Sequence, residues 1–160
     1  MNRIYYTKNN QHGVTWNGDL LIMGAAGDSI DDATWIESLD NDLKVVEANA
    51  STIFINYVPE IAPGVRHRAI LKEYTDRSER WRNVRSGALL TDSLLVRGAI
   101  TAMSWVTKID YKIAAYRPEK YRAALSWLRT RGRFDEREAL ALFEELVEHI
   151  GAGPLLRKAA

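Results

Sequence analysis

One segment near the middle of the chain constrains the fold more than any other. Residues 52–58, Thr-Ile-Phe-Ile-Asn-Tyr-Val, are β-branched and aromatic, and apolar side chains occupy both alternating faces. A strand that is apolar on both faces has to be covered on both sides, as the central strand of a parallel sheet is. Pro59 and Pro63 then end the strand. The sequence therefore predicts a layered α/β fold.

The segment before this strand predicts an antiparallel hairpin. Apolar and polar residues alternate through Val14 and Trp16. Asn17-Gly18 is a typical two-residue hairpin turn, and it leads into Asp19 and the apolar residues 20–23. A helix is predicted over 31–47, because Ser29 or Asp31 can accept hydrogen bonds from the free N–H groups of its first turn.

This predicted helix has an apolar stripe with spacings of three and four residues, which should lie on the sheet. The members of the stripe are Ile36, Leu39, Leu43 and Val46. The charged residues between them are predicted to face water, and these are Glu37, Asp40, Asp42 and Lys44.

Helical and extended patterns continue to alternate after the central strand. The predicted elements are a helix over 64–82, a strand over 84–90, an apolar helix over 94–107, a strand over 111–116, and helices over 119–130 and 135–150. The crossover rules convert this order into an α/β fold with a mixed, mainly parallel sheet, an N-terminal antiparallel hairpin, helices on both faces and one extra C-terminal helix. Residues 1–132 are predicted to form the α/β domain, and residues 133–160 a C-terminal helical extension and tail.

The predicted helices over 64–82 and 135–150 each have one side that is expected to be buried. In the helix over 64–82, the inward side is predicted to contain Val65, Ala69, Tyr74, Ser78 and Trp81. The last helix has an apolar face that includes Leu142, Phe143 and Leu146. Either its own domain or a second subunit must cover this face, and the short joint 129–133 favours folding back on the same chain.

Composition excludes several classes of function. The 160 residues have a formal net charge of +1, so no overall positive field attracts nucleic acid. Cysteine is absent, which removes disulfides, thiolate nucleophiles and cysteine-based metal sites. The three histidines are isolated in sequence and are expected to be exposed or capping residues, so no metal, cofactor or catalytic residue is predicted. Without a signal peptide or an apolar run of about 18 residues, we expect a cytoplasmic protein without membrane insertion.

The sequence resembles the STAS superfamily, and within it the SpoIIAA-like branch, over about residues 10 to 130. The resemblance depends on the helix entry Gly27–Asp32, on the central strand Ile53–Tyr57, and on the strand and helix run 87–128, which ends in Ala-Ala-Leu-Ser-Trp-Leu. Members of this superfamily are generally not enzymes. In the anti-sigma antagonist branch, a phosphorylated Ser or Thr follows the central strand, but residues 58–65 contain neither, so this switch does not carry over.

The resemblance implies a non-enzymatic regulatory or scaffolding module that binds an unidentified protein partner or a second copy of itself. Candidate surface residues are Arg66, Arg68, Asp92, Ser93, Leu142, Phe143 and Leu146. Helix capping is the simpler role for Asp92 and Ser93, and ion pairing on a solvated helix face is the simpler role for the two arginines. The alternative function is a carrier of a small hydrophobic ligand or lipid of the CRAL-TRIO type, because the apolar helix over 94–107 could line a pocket.

Overall fold

The computed structural model describes residues 1–58, 64–84, 86–94, 97 and 112–154. The strands are β1 (Tyr5–Tyr6), β2 (His12–Asn17), β3 (Leu20–Ala25), β4 (Ile53–Tyr57), β5 (Ser86–Leu90) and β6 (Lys112–Tyr116). The helices are α1 (Asp32–Asn49), α2 (Val65–Arg77), α3 (Glu79–Arg82), α4 (Tyr121–Leu128) and α5 (Glu136–His149), with a short 3-10 helix at Pro118–Lys120.

The strands form one six-stranded sheet in the order in which they follow each other along the chain. The pairs β1–β2 and β2–β3 are antiparallel, whereas β3, β4, β5 and β6 run parallel. Gly18 has a φ of +55° in the hairpin turn, a conformation that glycine adopts without steric penalty. The predicted fold class, a mixed and mainly parallel sheet with an N-terminal hairpin, is confirmed.

Side-chain alternation along the strands builds two separate layers of core. Leu20 and Ile22 face α4 and α5, while Leu21 on the same strand faces α1. The α1 side continues with Val45 and Val46 of that helix, and Trp81 of α3 packs against them. Helices therefore cover both faces of the sheet, as predicted from the apolar central strand.

The C-terminal helix α5 packs unusually close to the sheet. Gly13 of β2 and Gly24 of β3 are register partners, and a Cβ atom at either position would lie within 3.0 Å of the Leu146 side chain. Two facing glycines thus leave room for this leucine. The predicted folding back of the helix on its own chain is what the structure shows.

This packing corrects the proposal that the apolar face of α5 is a partner surface. Leu142, Phe143 and Leu146 are at most 1% exposed and belong to the same core as the sheet residues. They are unavailable to a partner in the folded chain, because the sheet of the same chain already covers them.

The predicted orientation of α1 is wrong in part. Ile36 is 39% exposed, although it was assigned to the apolar stripe, and Asp42 is buried, although it was assigned to the water-facing side. The buried face instead includes Thr34 and Ser38. The helix is rotated because two adjacent valines, Val45 and Val46, together anchor its C-terminal half in the core.

The predicted helix over 64–82 is also divided. It breaks at Ser78, whose hydroxyl accepts a hydrogen bond from the Trp81 N–H at 3.1 Å and so caps α3. Val65 and Ala69 are exposed, contrary to the prediction, whereas Tyr74 and Ser78 are buried as expected. Serine favours such caps over helix interiors, and this preference explains the break.

Some predictions fall outside the described residues. These are most of the helix over 94–107, the stretch with Pro59 and Pro63, and the end of the C-terminal tail. Of the helices in the described ranges, none has the length and apolar character that crossing a bilayer requires.

The role of α5 in the core can be measured through Phe143, which is fully buried with its ring centroid 5.2 Å from that of Tyr121. We expect Phe143→Ala to lower the free energy of unfolding by about 3 to 5 kcal/mol, because it removes a large side chain and leaves a cavity. Urea unfolding checks this, with exposed Glu145→Ala on the same helix as control. An unchanged unfolding midpoint in the Phe143 variant would contradict the packing described above.

Candidate functional site

A cavity of about 550 Å³ lies between the sheet and the helices α1 and α2. It reaches the carboxyl ends of β3 and β4, where Ala25, Tyr57 and Val58 line it. Open parallel sheets bind ligands at this end of their strands, and the volume falls in the range of small-molecule sites. Most of the walls are apolar, and the large apolar side chains of the lining include Met23, Trp35, Leu39, Leu71, Trp81 and Leu89.

One of the few polar groups in the cavity is His12, the first residue of β2. Side chains on a strand alternate between faces, so His12 projects to the same side as Val14 and Trp16. Val14 belongs to the core layer against α1, and His12 is accordingly 7% exposed. The strand therefore directs this histidine into the interior.

Asp42 of α1 meets His12 from the opposite wall. It follows Thr34 and Ser38 at intervals of four residues, so the three side chains share one face of the helix. The distance from His12 Nε2 to Asp42 Oδ1 is 3.4 Å, and the two side chains are 9% and 8% exposed. This is longer than a good hydrogen bond. Within the part of the chain that the structure describes, His12 Nδ1 and Asp42 Oδ1 have no hydrogen-bond partner.

Burial decides the protonation of this pair. It lowers the pKa of His12 from 6.5 to about 4 and raises the pKa of Asp42 well above its ordinary 3.8, because each charged form loses its hydration. Both shifts disfavour the charged forms, which are the imidazolium of His12 and the carboxylate of Asp42.

A second group of side chains joins α1 to α2 beside the cavity, and we call it the α1–α2 clasp: Asp32, Trp35, Arg66 and His67. The rings of Trp35 and His67 are stacked with centroids 4.9 Å apart, and Trp35 Nε1 donates to the His67 carbonyl oxygen at 3.0 Å. Asp32 lies 3.0 Å from His67 Nε2 and 2.7 Å from Arg66 Nε. The clasp positions α2 as the outer wall.

The candidate surface residues from the sequence lie apart from the cavity lining. Arg66 is exposed and belongs to the clasp, and Arg68 is exposed on the same helix. Asp92 is exposed and Ser93 half-buried just after β5, where the Ser93 N–H donates to Thr91 Oγ1 at 3.1 Å. The three residues of α5 belong to the opposite core layer.

All three histidines were expected to be exposed or capping residues, and this prediction needs correction for His12 and His67. His12 is buried in the cavity, and His67 is stacked in the clasp. His149 is exposed on the other side of the sheet, where its ring stacks on Tyr6 with centroids 3.9 Å apart. In the described ranges, no three histidine or acidic side chains are grouped as metal ligands would be.

Comparisons with known proteins found no family model, no curated protein and no solved structure that matches this chain. The resemblance to the STAS superfamily therefore stays a prediction. The case for a function depends on the cavity and on the two residues buried in it.

The two opposite pKa shifts predict how stability varies with pH. His12 has a lowered pKa, so its contribution is present above pH 6.5 and is lost as the pH falls towards 4. Asp42 has a raised pKa, so its contribution is present below pH 3.8 and is lost as the pH rises. The two contributions oppose each other over the pH range in which unfolded His12 is protonated and folded Asp42 still holds its proton.

Asp42→Asn should remove the contribution of Asp42 while preserving the size of the side chain. We expect the free energy of unfolding of the variant, minus that of the parent, to increase with pH below pH 6.5. The slope is at most about 1.4 kcal/mol per pH unit, the value for one proton. Urea titrations at several pH values measure the difference. Exposed Asp28→Asn is the control. A difference that does not vary with pH would mean that the native pair holds no proton.

Proposed function

We propose that this domain binds a small, mainly apolar molecule in the cavity between the sheet, α1 and α2. The observation that carries the proposal is the combination of about 550 Å³ of space, apolar walls and one buried polar pair at the carboxyl end of the parallel strands. Small-molecule sites have this composition, in which apolar surface supplies most of the affinity and a few polar groups fix the orientation.

The walls suit a ligand with a flat or extended apolar body. Trp35 and Trp81 offer aromatic surface, and Leu39 and Leu71 extend it from the two helices. Binding requires no chemical step, and the proposed role is that of a carrier or a sensor of the ligand. This role corresponds to the hydrophobic-ligand alternative from the sequence analysis. That alternative depended on the predicted helix over 94–107, whereas the present proposal depends on the residues that line the cavity.

The protein-binding module that the STAS resemblance implies stays a prediction, as does a cytoplasmic location. Its apolar surface on α5 is taken up by the core, which leaves the exposed Arg66, Arg68 and Asp92 as candidate contacts. Exposed polar side chains are the ordinary surface of a folded protein and do not by themselves indicate a partner. The cavity therefore supports the stronger proposal.

The neutral dye N-phenyl-1-naphthylamine, whose fluorescence increases in apolar surroundings, tests binding directly. We expect one dye molecule per chain. Ser38→Phe should weaken binding at least about tenfold, since Ser38 lines the cavity and a phenyl ring there would occupy it. Fluorescence titration gives the dissociation constants.

Ile36→Phe is the matched control, because Ile36 is exposed on the same helix and lies outside the lining. Its dissociation constant should equal that of the parent. Thermal unfolding confirms that both variants fold. Absence of dye binding to the parent, or equal binding by the Ser38 variant, would refute the proposal. Mass spectrometry of small molecules extracted from protein purified from its native cell then identifies the ligand.

A further inference from the structure

Asn56 is a polar residue on the sheet side of an otherwise mainly apolar cavity. It lies on β4 two residues after Phe54, which packs in the core layer against α1, so both side chains project to that face of the sheet. Its register partners are Met23 of β3 and Leu89 of β5, and all three residues line the cavity. Asparagine is depleted in strands, and two apolar neighbours offer an amide no hydrogen bond. Packing within the sheet therefore does not explain an amide at this position.

The side-chain amide of Asn56 is open to the cavity. The residue is half-buried, and its amide forms no hydrogen bond with any residue that the structure describes. The unpaired side-chain atoms that water cannot reach include His12 Nδ1 and Asp42 Oδ1, but neither amide atom of Asn56. A molecule in the cavity can therefore contact Oδ1 and Nδ2 of Asn56.

Other polar side chains of the lining are already engaged. Ser38 Oγ donates to the carbonyl oxygen of Trp35 at 2.7 Å, and Gln11 Nε2 donates to the carbonyl oxygen of Ser29. The ring of His67 is held in the clasp by its stack and by its acidic partner. The Ser29 side chain is exposed. Within the described part of the chain, Asn56 is thus the half-buried lining residue with a free donor and a free acceptor.

The chemistry of the carboxamide defines which ligand group would fit. Its acceptor oxygen and its donor nitrogen lie side by side in one plane. The complementary group has an N–H and a C=O side by side in one plane, as a cis amide or a lactam has. Such a pair satisfies both atoms of Asn56, whereas a lone carbonyl oxygen leaves Oδ1 without a donor. An unpaired polar atom in apolar surroundings is unfavourable.

Ionised groups fit this position less well. A carboxylate has acceptors only and would leave Oδ1 unpaired, and an ammonium group has donors only and would leave Nδ2 unpaired. Among the described lining residues there is no lysine or arginine that could neutralise a carboxylate. The aromatic rings of Trp35 and Trp81 in the same lining offer surface to a flat apolar body.

We propose that Asn56 orients the ligand, and that the ligand is a neutral, flat and mainly apolar molecule with a cis-amide edge. The edge forms two hydrogen bonds with Asn56, one from Nδ2 to the ligand carbonyl and one from the ligand N–H to Oδ1. This inference rests on the proposed function, since it names the ligand class of the same cavity.

Three bicyclic probes of nearly equal shape test the inference. 2-Quinolone has the N–H beside the C=O, coumarin has a ring oxygen in place of that N–H, and naphthalene has neither group. Isothermal titration calorimetry with the full chain gives the dissociation constants. We expect 2-quinolone to bind at least about tenfold more tightly than coumarin, a difference of about 1.4 kcal/mol, because coumarin leaves Oδ1 unpaired.

Asn56→Leu is similar in size and removes both hydrogen-bonding atoms. It should weaken the binding of 2-quinolone at least about tenfold and should not weaken the binding of naphthalene. Its melting temperature without ligand should not fall, because leucine suits the apolar neighbours Met23 and Leu89. Asn83→Leu, at an exposed position outside the lining, should bind all three probes as the parent does.

The outcomes separate the two proposals. If N-phenyl-1-naphthylamine does not bind the parent, the proposed function fails and the inference fails with it. If the dye binds but 2-quinolone binds no more tightly than coumarin, or not at all, the inference alone is overturned. The same holds if the Asn56 variant binds 2-quinolone as tightly as the parent. A lower melting temperature of that variant would give the amide a structural role and would also overturn the inference.

Discussion

The close contact between α5 and the paired glycines of β2 and β3 sets the arrangement of the rest of the molecule. Leu146 occupies the space that side chains at Gly13 and Gly24 would fill, so the helix lies directly on the backbone of the hairpin. Interiors are packed to crystal-like density, and such a contact fixes the position of both partners. The hairpin then has one sealed face, and the side chains that alternate away from α5 must be covered by α1.

His12 is the residue beside Gly13, and it pairs in register with Ala25 at the end of β3. It therefore points away from α5 into the layer that α1 and α2 form. There the core is less complete than on the α5 side, because a cavity and two polar groups replace apolar contacts. A buried pair with unpartnered atoms lowers stability relative to apolar residues of similar size. Natural proteins keep such local departures mainly where they serve a function, which is the physical reason to locate the site here.

The sequence was sufficient for the elements whose apolar pattern has a single interpretation. The buried positions of α4 and α5, including Leu125, Leu142 and Phe143, follow from spacing alone because each helix has one apolar stripe. The rotation of α1 could not be obtained in this way. An assignment that places every carboxylate of α1 in water puts Asp42 on the exposed side of the helix. The burial of Asp42 can be understood only from its contact with His12, which requires the three-dimensional structure. His12 did give a signal, because it alternates with Val14 and Trp16, but a lone histidine near a turn is more often exposed.

The position of α2 explains how filling the cavity would affect the whole domain. Tyr74 is the one buried residue of this helix, and its hydroxyl donates to Asp40 of α1. The clasp adds a further attachment of α2 to α1 through the stacked Trp35 and His67. Elements with few buried apolar contacts open at lower free energy than the core of a protein. A ligand between Leu71 of α2 and Leu39 of α1 would add the apolar contact that this wall lacks. The ligand would then stabilise the attachment of α2. It would also stabilise the folded state as a whole, because the unfolded chain has no cavity that could bind the ligand.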